Sequence, residues 1–111
     1  MLDPVSNQLE RYMDLVAVRQ KLAAANIANA DTPGYRTQDI DFQAELRNAE
    51  SGAQPRVIQV PELKVKNDGN DVSVDREARM LSENDLRFRL ASGLLKDKFS
   101  LIRQAIQGDK S

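Results

Sequence analysis

Residues 26–36 read Asn-Ile-Ala-Asn-Ala-Asp-Thr-Pro-Gly-Tyr-Arg. They close a helical pattern that runs from Val5 to about Ala30. Pro33 fixes its own φ and pushes Thr32 out of the α region. Gly34 takes positive φ at low cost, so Pro33-Gly34 suits the two central positions of a type II turn. Asn26 and Asn29 lie three apart, on one face of the helix end, where their amides can bond the last open carbonyls or a neighbouring helix. Asp31 is a further turn former. The ring of Tyr35 is expected to pack, leaving its hydroxyl for a polar partner.

Upstream of the turn, Leu2, Leu9, Val16, Ala23 and Ala30 recur every seven residues, flanked by Val5, Tyr12, Met13, Gln20 and Ile27. Arg19 interrupts one of these rows. Leu15, Val18, Leu22 and Ala25 form a second stripe on another face. Asp3-Pro4 reads as an N-cap followed by a proline at the first helical position.

The same spacing returns in the last third of the chain. Val74, Leu81, Phe88, Leu95 and Ile102 repeat every seven residues, with Ala78, Phe99 and Ile106 beside them. Leu90, Leu94, Leu101 and Ala105 lie on another face. Ser73 or Asp75 can cap this helix, Glu77 suits its first turn, and Gly108 ends it. Gly93 in its middle costs roughly 1 kcal/mol relative to Ala and points to a kink or a close helix contact.

Three segments follow: 1–36 with the first helix and its turn, 37–72, and 73–111 with the second helix. The middle one holds Pro55, Pro61, Gly52 and Gly69, and four basic residues against seven acidic ones. Phe42 to Ala49 reads as a short helix, and Val57, Val60, Leu63 and Val65 as short extended pieces. Pro61 limits pairing to an edge, and poor order is expected over 37–72 in an isolated subunit. The fold class is therefore mainly α. Two long terminal helices pack as a coiled-coil-like hairpin, joined by an irregular middle, with 1–36 and 73–111 forming one helical unit. Two apolar stripes on each helix exceed what a hairpin needs, which argues for a protein that assembles or binds a partner.

Composition removes several function classes. One domain is the most that 111 residues support. The absence of Cys and His excludes disulfides, thiolate nucleophiles, zinc sites built on those ligands and His-based triads. Asp68-Gly69-Asn70-Asp71 lacks the ligand spacing of a Ca²⁺ loop and reads as a turn. No cofactor or metal is expected. Glu77, Glu83, Arg87 and Arg89 read as solvated helix residues, so no catalytic constellation is visible. The net charge of −1 argues against nucleic-acid binding. No apolar run reaches the roughly 20 residues that span a bilayer, and Met1-Leu2-Asp3-Pro4 does not open a cleaved secretory signal.

The string Asn26-x-x-Asn29-x-x-Thr32-Pro33-Gly34-Tyr35 closely resembles the N-terminal signature of the bacterial flagellar axial proteins, which build the rod and hook. Val74-Asp75-Arg76-Glu77, Glu83-Asn84-Asp85-Leu86-Arg87-Phe88 and the run Leu94 to Ile106 resemble a short rod member of that family, and the short length agrees. The resemblance implies a structural subunit without catalysis or small-molecule substrate. It implies a place in the periplasmic rod that carries torque, and export by the flagellum's own apparatus without a cleaved signal. The partners it implies are further copies of the chain, other rod proteins (FlgC, FliE and neighbouring subunits) and that export apparatus. Alternatives are another short axial protein such as FlgC, or a cytosolic helical export chaperone, which would lack the Asn/Thr-Pro-Gly-Tyr string. Under the family reading the turn residues are Asn26, Asn29, Asp31, Thr32, Pro33, Gly34 and Tyr35. The expected assembly surface is Leu9, Leu15, Val16, Leu22 and Ile27 on the first helix. On the second it is Leu81, Phe88, Leu94, Leu95, Phe99, Leu101, Ile102 and Ile106.

Overall fold

The structure, a computed structural model, describes residues 4–48 and 53–108. The expected cap at Asp3, the apolar Leu2, Gly52 and the end of the short helix at Ala49 lie outside the described residues. Helix α1 spans Pro4–Ala28, strand β1 Gln38–Ile40, helix α2 Phe42–Arg47, strand β2 Val57–Gln59 and helix α3 Val74–Gly108. The molecule is thus mainly helical, with its two long helices packed against each other and a short irregular region between them.

The helices run antiparallel. Asn26 near the end of α1 bonds Glu77 near the start of α3, while Leu9 shares a groove with Leu94 at the other end. At 1.5 Å per residue the 25 residues of α1 span about 37 Å and the 35 of α3 about 52 Å. In this register the last turns of α3 project past the start of α1. The shape is accordingly long and thin, 70 × 24 × 17 Å. Ser73 caps α3, its Oγ accepting from the Arg76 N–H at 3.2 Å.

The middle region is more built than its composition suggests. β1 and β2 pair antiparallel, with Asp39 opposite Ile58. Asp41 caps α2 by accepting from the Ala44 N–H at 3.2 Å. β1 and α2 fold back over α1, so Ile40 and Phe42 meet Leu15 and Val16 in an apolar core, with Tyr12, Val18, Leu22 and Leu46 around it. Tyr12 meets the Phe42 ring edge to face at 5.4 Å. The Arg19 guanidinium lies 5.3 Å from the centroid of the same ring while holding Asp39 with two bonds of 3.0 and 2.9 Å.

This packing corrects part of the expected assembly surface. Leu15 and Val16 have no exposed surface, and Leu22 is half-buried against the core. A stripe that looked free for a neighbour is covered by the chain's own middle region. The reason is local: Ile40 and Phe42 are the most apolar residues of that region's first half, and α1 offers the nearest surface that can bury them. The second stripe of α3 has no such cover. Leu90, Leu94 and Leu101 stay 60, 59 and 65 % exposed.

Candidate functional site

The turn after α1 forms as the residues dictate. The Tyr35 N–H donates to the Thr32 carbonyl at 3.2 Å, closing a four-residue turn, and Gly34 has φ of +77°. Asn29 ties off the helix end: its Nδ2 donates to the Ala25 carbonyl at 2.8 Å and its Oδ1 accepts from Thr32 Oγ1 at 3.0 Å. Asp31 and Pro33 are exposed on the outside of the bend.

Asn26 is fully buried, and its amide is saturated. Nδ2 donates to the Gln38 carbonyl at 2.9 Å and to Glu77 Oε1 at 2.6 Å. Oδ1 accepts from the Gln38 N–H at 3.1 Å and from the Tyr35 hydroxyl at 3.2 Å. One side chain of α1 therefore fixes the turn, β1 and α3 together. Glu77, expected to be solvated, is only 2 % exposed. Its other oxygen accepts from Arg76, so the buried carboxylate has both a charge partner and hydrogen-bond donors. Glu83, Arg87 and Arg89 are exposed as expected.

A second turn locks the first. Gly69 donates back to the Lys66 carbonyl at 3.0 Å, and the Gly34 N–H donates to the Asp68 carbonyl at 2.9 Å. Asn70, also fully buried, donates to the carbonyls of Asn29 and Thr32, both at 2.8 Å. Asp71 accepts from the Thr37 N–H at 2.6 Å and from the Thr37 hydroxyl at 2.8 Å. The turn closes over Lys66–Gly69, two residues earlier than Asp68–Asp71, and with Asn70 and Asp71 just after it holds the Pro-Gly bend from the far side. Its role was not visible in the sequence, because nothing local marks Asn70 as the partner of carbonyls some 40 residues earlier.

The expected assembly residues divide three ways. Leu15 and Val16 are internal. Leu9, Ile27, Leu81 and Leu95 are partly exposed, as is Leu22 at the edge of the core. Phe88, Leu94, Phe99, Leu101, Ile102 and Ile106 are exposed on α3. The described residues contain no group of three His, Cys, Asp or Glu side chains placed to hold a metal, and none of their helices is long and apolar enough to cross a membrane. What the site does chemically is hold the chain: its polar contacts fix the exit from α1 and tie it to β1, the second turn and α3.

A paired-helix body with a locked Pro-Gly exit and uncovered apolar rows defines the class, a helical hairpin that keeps apolar surface for a partner. The family described as "Flagella basal body rod protein" matches residues 13–36, the later two thirds of α1 and the turn. The flagellar basal body rod protein FlgB of Salmonella typhimurium is 31 % identical, with 96 % of each chain covered. FlgB of Escherichia coli is 33 % identical over 96 % of this chain and 98 % of its own length. A more distant FlgB, from Borrelia hermsii, is 27 % identical over 87 % of this chain and 91 % of its own. The chain belongs to the FlgB family of flagellar basal body rod proteins, and its work is structural.

Proposed function

We propose that this rod subunit lies in the proximal rod, polymerises through its terminal helices and helps pass motor torque across the periplasm. In this reading 1–36 and 73–111 act as one assembling unit, and 37–72 braces it. The subunit's partners are further copies of itself, FlgC, FliE and neighbouring rod subunits. It reaches them through the flagellar export apparatus and catalyses no reaction. The observation that carries the reading is the pair of uncovered apolar rows on α3, Leu94 with Leu101 and Ile102 with Ile106, on a helix that outruns its own partner. Contiguous exposed apolar surface of this kind marks an interaction site. The buried Asn26–Glu77 contact adds support, because torque transfer needs two helices that cannot slide past each other.

The test is a pair of charged substitutions. Leu101→Asp should leave the helical circular dichroism of the purified chain unchanged and stop swimming in cells that depend on this gene. Leu15→Asp should instead unfold the chain, because Leu15 is core. A Leu101→Asp strain that swims like its parent would refute assembly through α3.

A further inference from the structure

The α1–α3 hairpin has two open sides, and their charges are opposite. On the side below the middle region, Leu9, Tyr12, Leu90, Ala91 and Leu94 line an almost wholly apolar slot of about 280 Å³, with Arg87 at its edge. Arg87 also lines the cleft above, together with Arg19 and Arg76. Those two are engaged, Arg19 by Asp39 and Arg76 by Glu77. The acids of that cleft are engaged too: Asp39 by Arg19, and Asp41 by the start of α2. Among the described residues Arg87 pairs with Glu83 alone, at 4.0 Å and exposed, a contact of little strength. Of the three guanidiniums that line this cleft, it is the one with donors to spare.

On the other side of the seam, Glu10, Met13, Asp14 and Leu95 line a groove of about 300 Å³. Neither Glu10 nor Asp14 has a cation partner among the described residues. The sequence explains the separation. Relative to the buried Ala91, Arg87 and Leu94 fall at −4 and +3, on one flank of α3, while Leu95 at +4 falls on the other. Glu10, Met13, Asp14 and Ala17 form a single strip on α1 by the same spacing.

We propose that these two sides bind each other between copies of this chain. The carboxylate-rimmed groove of one hairpin seats on the arginine-rimmed apolar slot of the next. Met13 faces the Leu90–Leu94 wall, and Glu10 or Asp14 meets Arg87. The apolar contact supplies the affinity, and the charges fix register and polarity. Such a contact is heterologous: each copy uses its front on one neighbour and its back on another. It does not close on a two-fold axis and extends into a ring or helix. The inference rests on the rod reading and names one joint within it.

The chain has no cysteine, so Met13→Cys and Leu94→Cys variants each carry a single thiol. Purified full-length chains of the two, mixed at high concentration and oxidised, should give mostly the mixed disulfide dimer, with little of either homodimer. Adding Arg87→Glu to the Leu94→Cys chain should abolish it. Adding Glu10→Lys and Asp14→Lys to the Met13→Cys chain should then restore it. Circular dichroism of each variant checks that the fold survives. Homodimers in equal or greater yield, or no rescue by the paired reversal, overturns front-to-back docking. Swimming separates this from failure of the rod reading. In cells carrying Arg87→Glu as the only copy, motility should fall and return with Glu10→Lys and Asp14→Lys on the same chain. Loss without return assigns the slot to a different rod protein; it overturns the self-contact and leaves the rod reading standing. Normal swimming with Arg87→Glu overturns the self-contact, and the Leu101→Asp strain then tests the rod reading independently.

Discussion

Gly69 lies so close to Gly34 that a Cβ built on Gly69 would sit 3.3 Å from the Gly34 Cα. Both glycines are left-handed, at φ of +85° and +77°, but their constraints differ. Space around Gly34 is open, with nothing within 4 Å of its would-be Cβ, so its requirement is conformational alone. Asn tolerates the left-handed region and Val does not. Gly34→Asn should therefore be mild, and Gly34→Val should cost about 1–3 kcal/mol. At Gly69 the close backbone is added to the φ penalty, so Gly69→Asn should destabilise more than Gly34→Asn. Urea melts of the three variants rank these costs. Equal losses for the two Asn variants would show that the turns do not press on each other.

Asn26 supports a sharper comparison. Asn26→Ala strips partners from Gln38, Tyr35 and Glu77 at once, and each buried group left unpaired costs about 1–3 kcal/mol. Asn26→Asp keeps the shape but removes both donors, and sets a carboxylate where the amide nitrogen lay 2.6 Å from Glu77 Oε1. Like charges that close in a buried site are worse than a gap. Asn26→Asp should accordingly be the less stable of the two, and Glu77→Gln should recover part of the loss in the double variant. Additive losses in that cycle would mean that the two side chains are not coupled.

The two long helices were legible because their apolar rows repeat over many turns, and the turn because Pro33-Gly34 leaves few alternatives. What the chain's own middle covers was not legible. Ile40 and Phe42 are two apolar residues among acids, and only the fold shows them closing over Leu15. The polar breaks in the row Val5, Tyr12, Arg19, Asn26 were the available clue. Both breaks prove to be the side chains that grip β1, Arg19 through Asp39 and Asn26 through Gln38. Glu77 was misread because a glutamate in a first helical turn has a sufficient local role. Its partner lies 51 residues away, a separation that no periodicity encodes.

Asn84 lies on the α1-facing side of α3 at 1 % exposure, and its Nδ2 has no partner among the described residues. The antiparallel register sets it level with Gln20, whose Oε1 is likewise unpaired. A buried polar group without a hydrogen bond is a cost that an apolar residue of similar volume removes. Asn84→Leu should therefore stabilise the chain by about 1 kcal/mol, a rise of about 4–8 °C in Tm for a domain near this size. A scan by circular dichroism decides it. A fall in Tm would show that the Asn84 amide is paired in solution, with Gln20 the nearest candidate.

Amide exchange should divide the molecule by support rather than by helix content. The N–H of Thr37 is held by the Asp71 carboxylate and that of Val72 by the Asn70 side chain at 2.8 Å, both in buried positions. Exchange there requires the two-turn lock to open, so these amides should be among the slowest, despite lying in or beside the irregular region. The last turns of α3 are regular helix, yet Leu101, Ile102 and Ile106 are exposed and have no α1 alongside. Helical stability in water comes mostly from packing, so the amides of about 101–108 should exchange near the rate of a fraying terminus in dilute monomer. In assembled rod they should slow, because a neighbour then covers the same side chains. Hydrogen exchange read by mass spectrometry on monomer and assembly compares the two regions directly. Slow exchange at 101–108 in dilute monomer would mean that α3 is stable without a neighbour, and that assembly is not what orders its end.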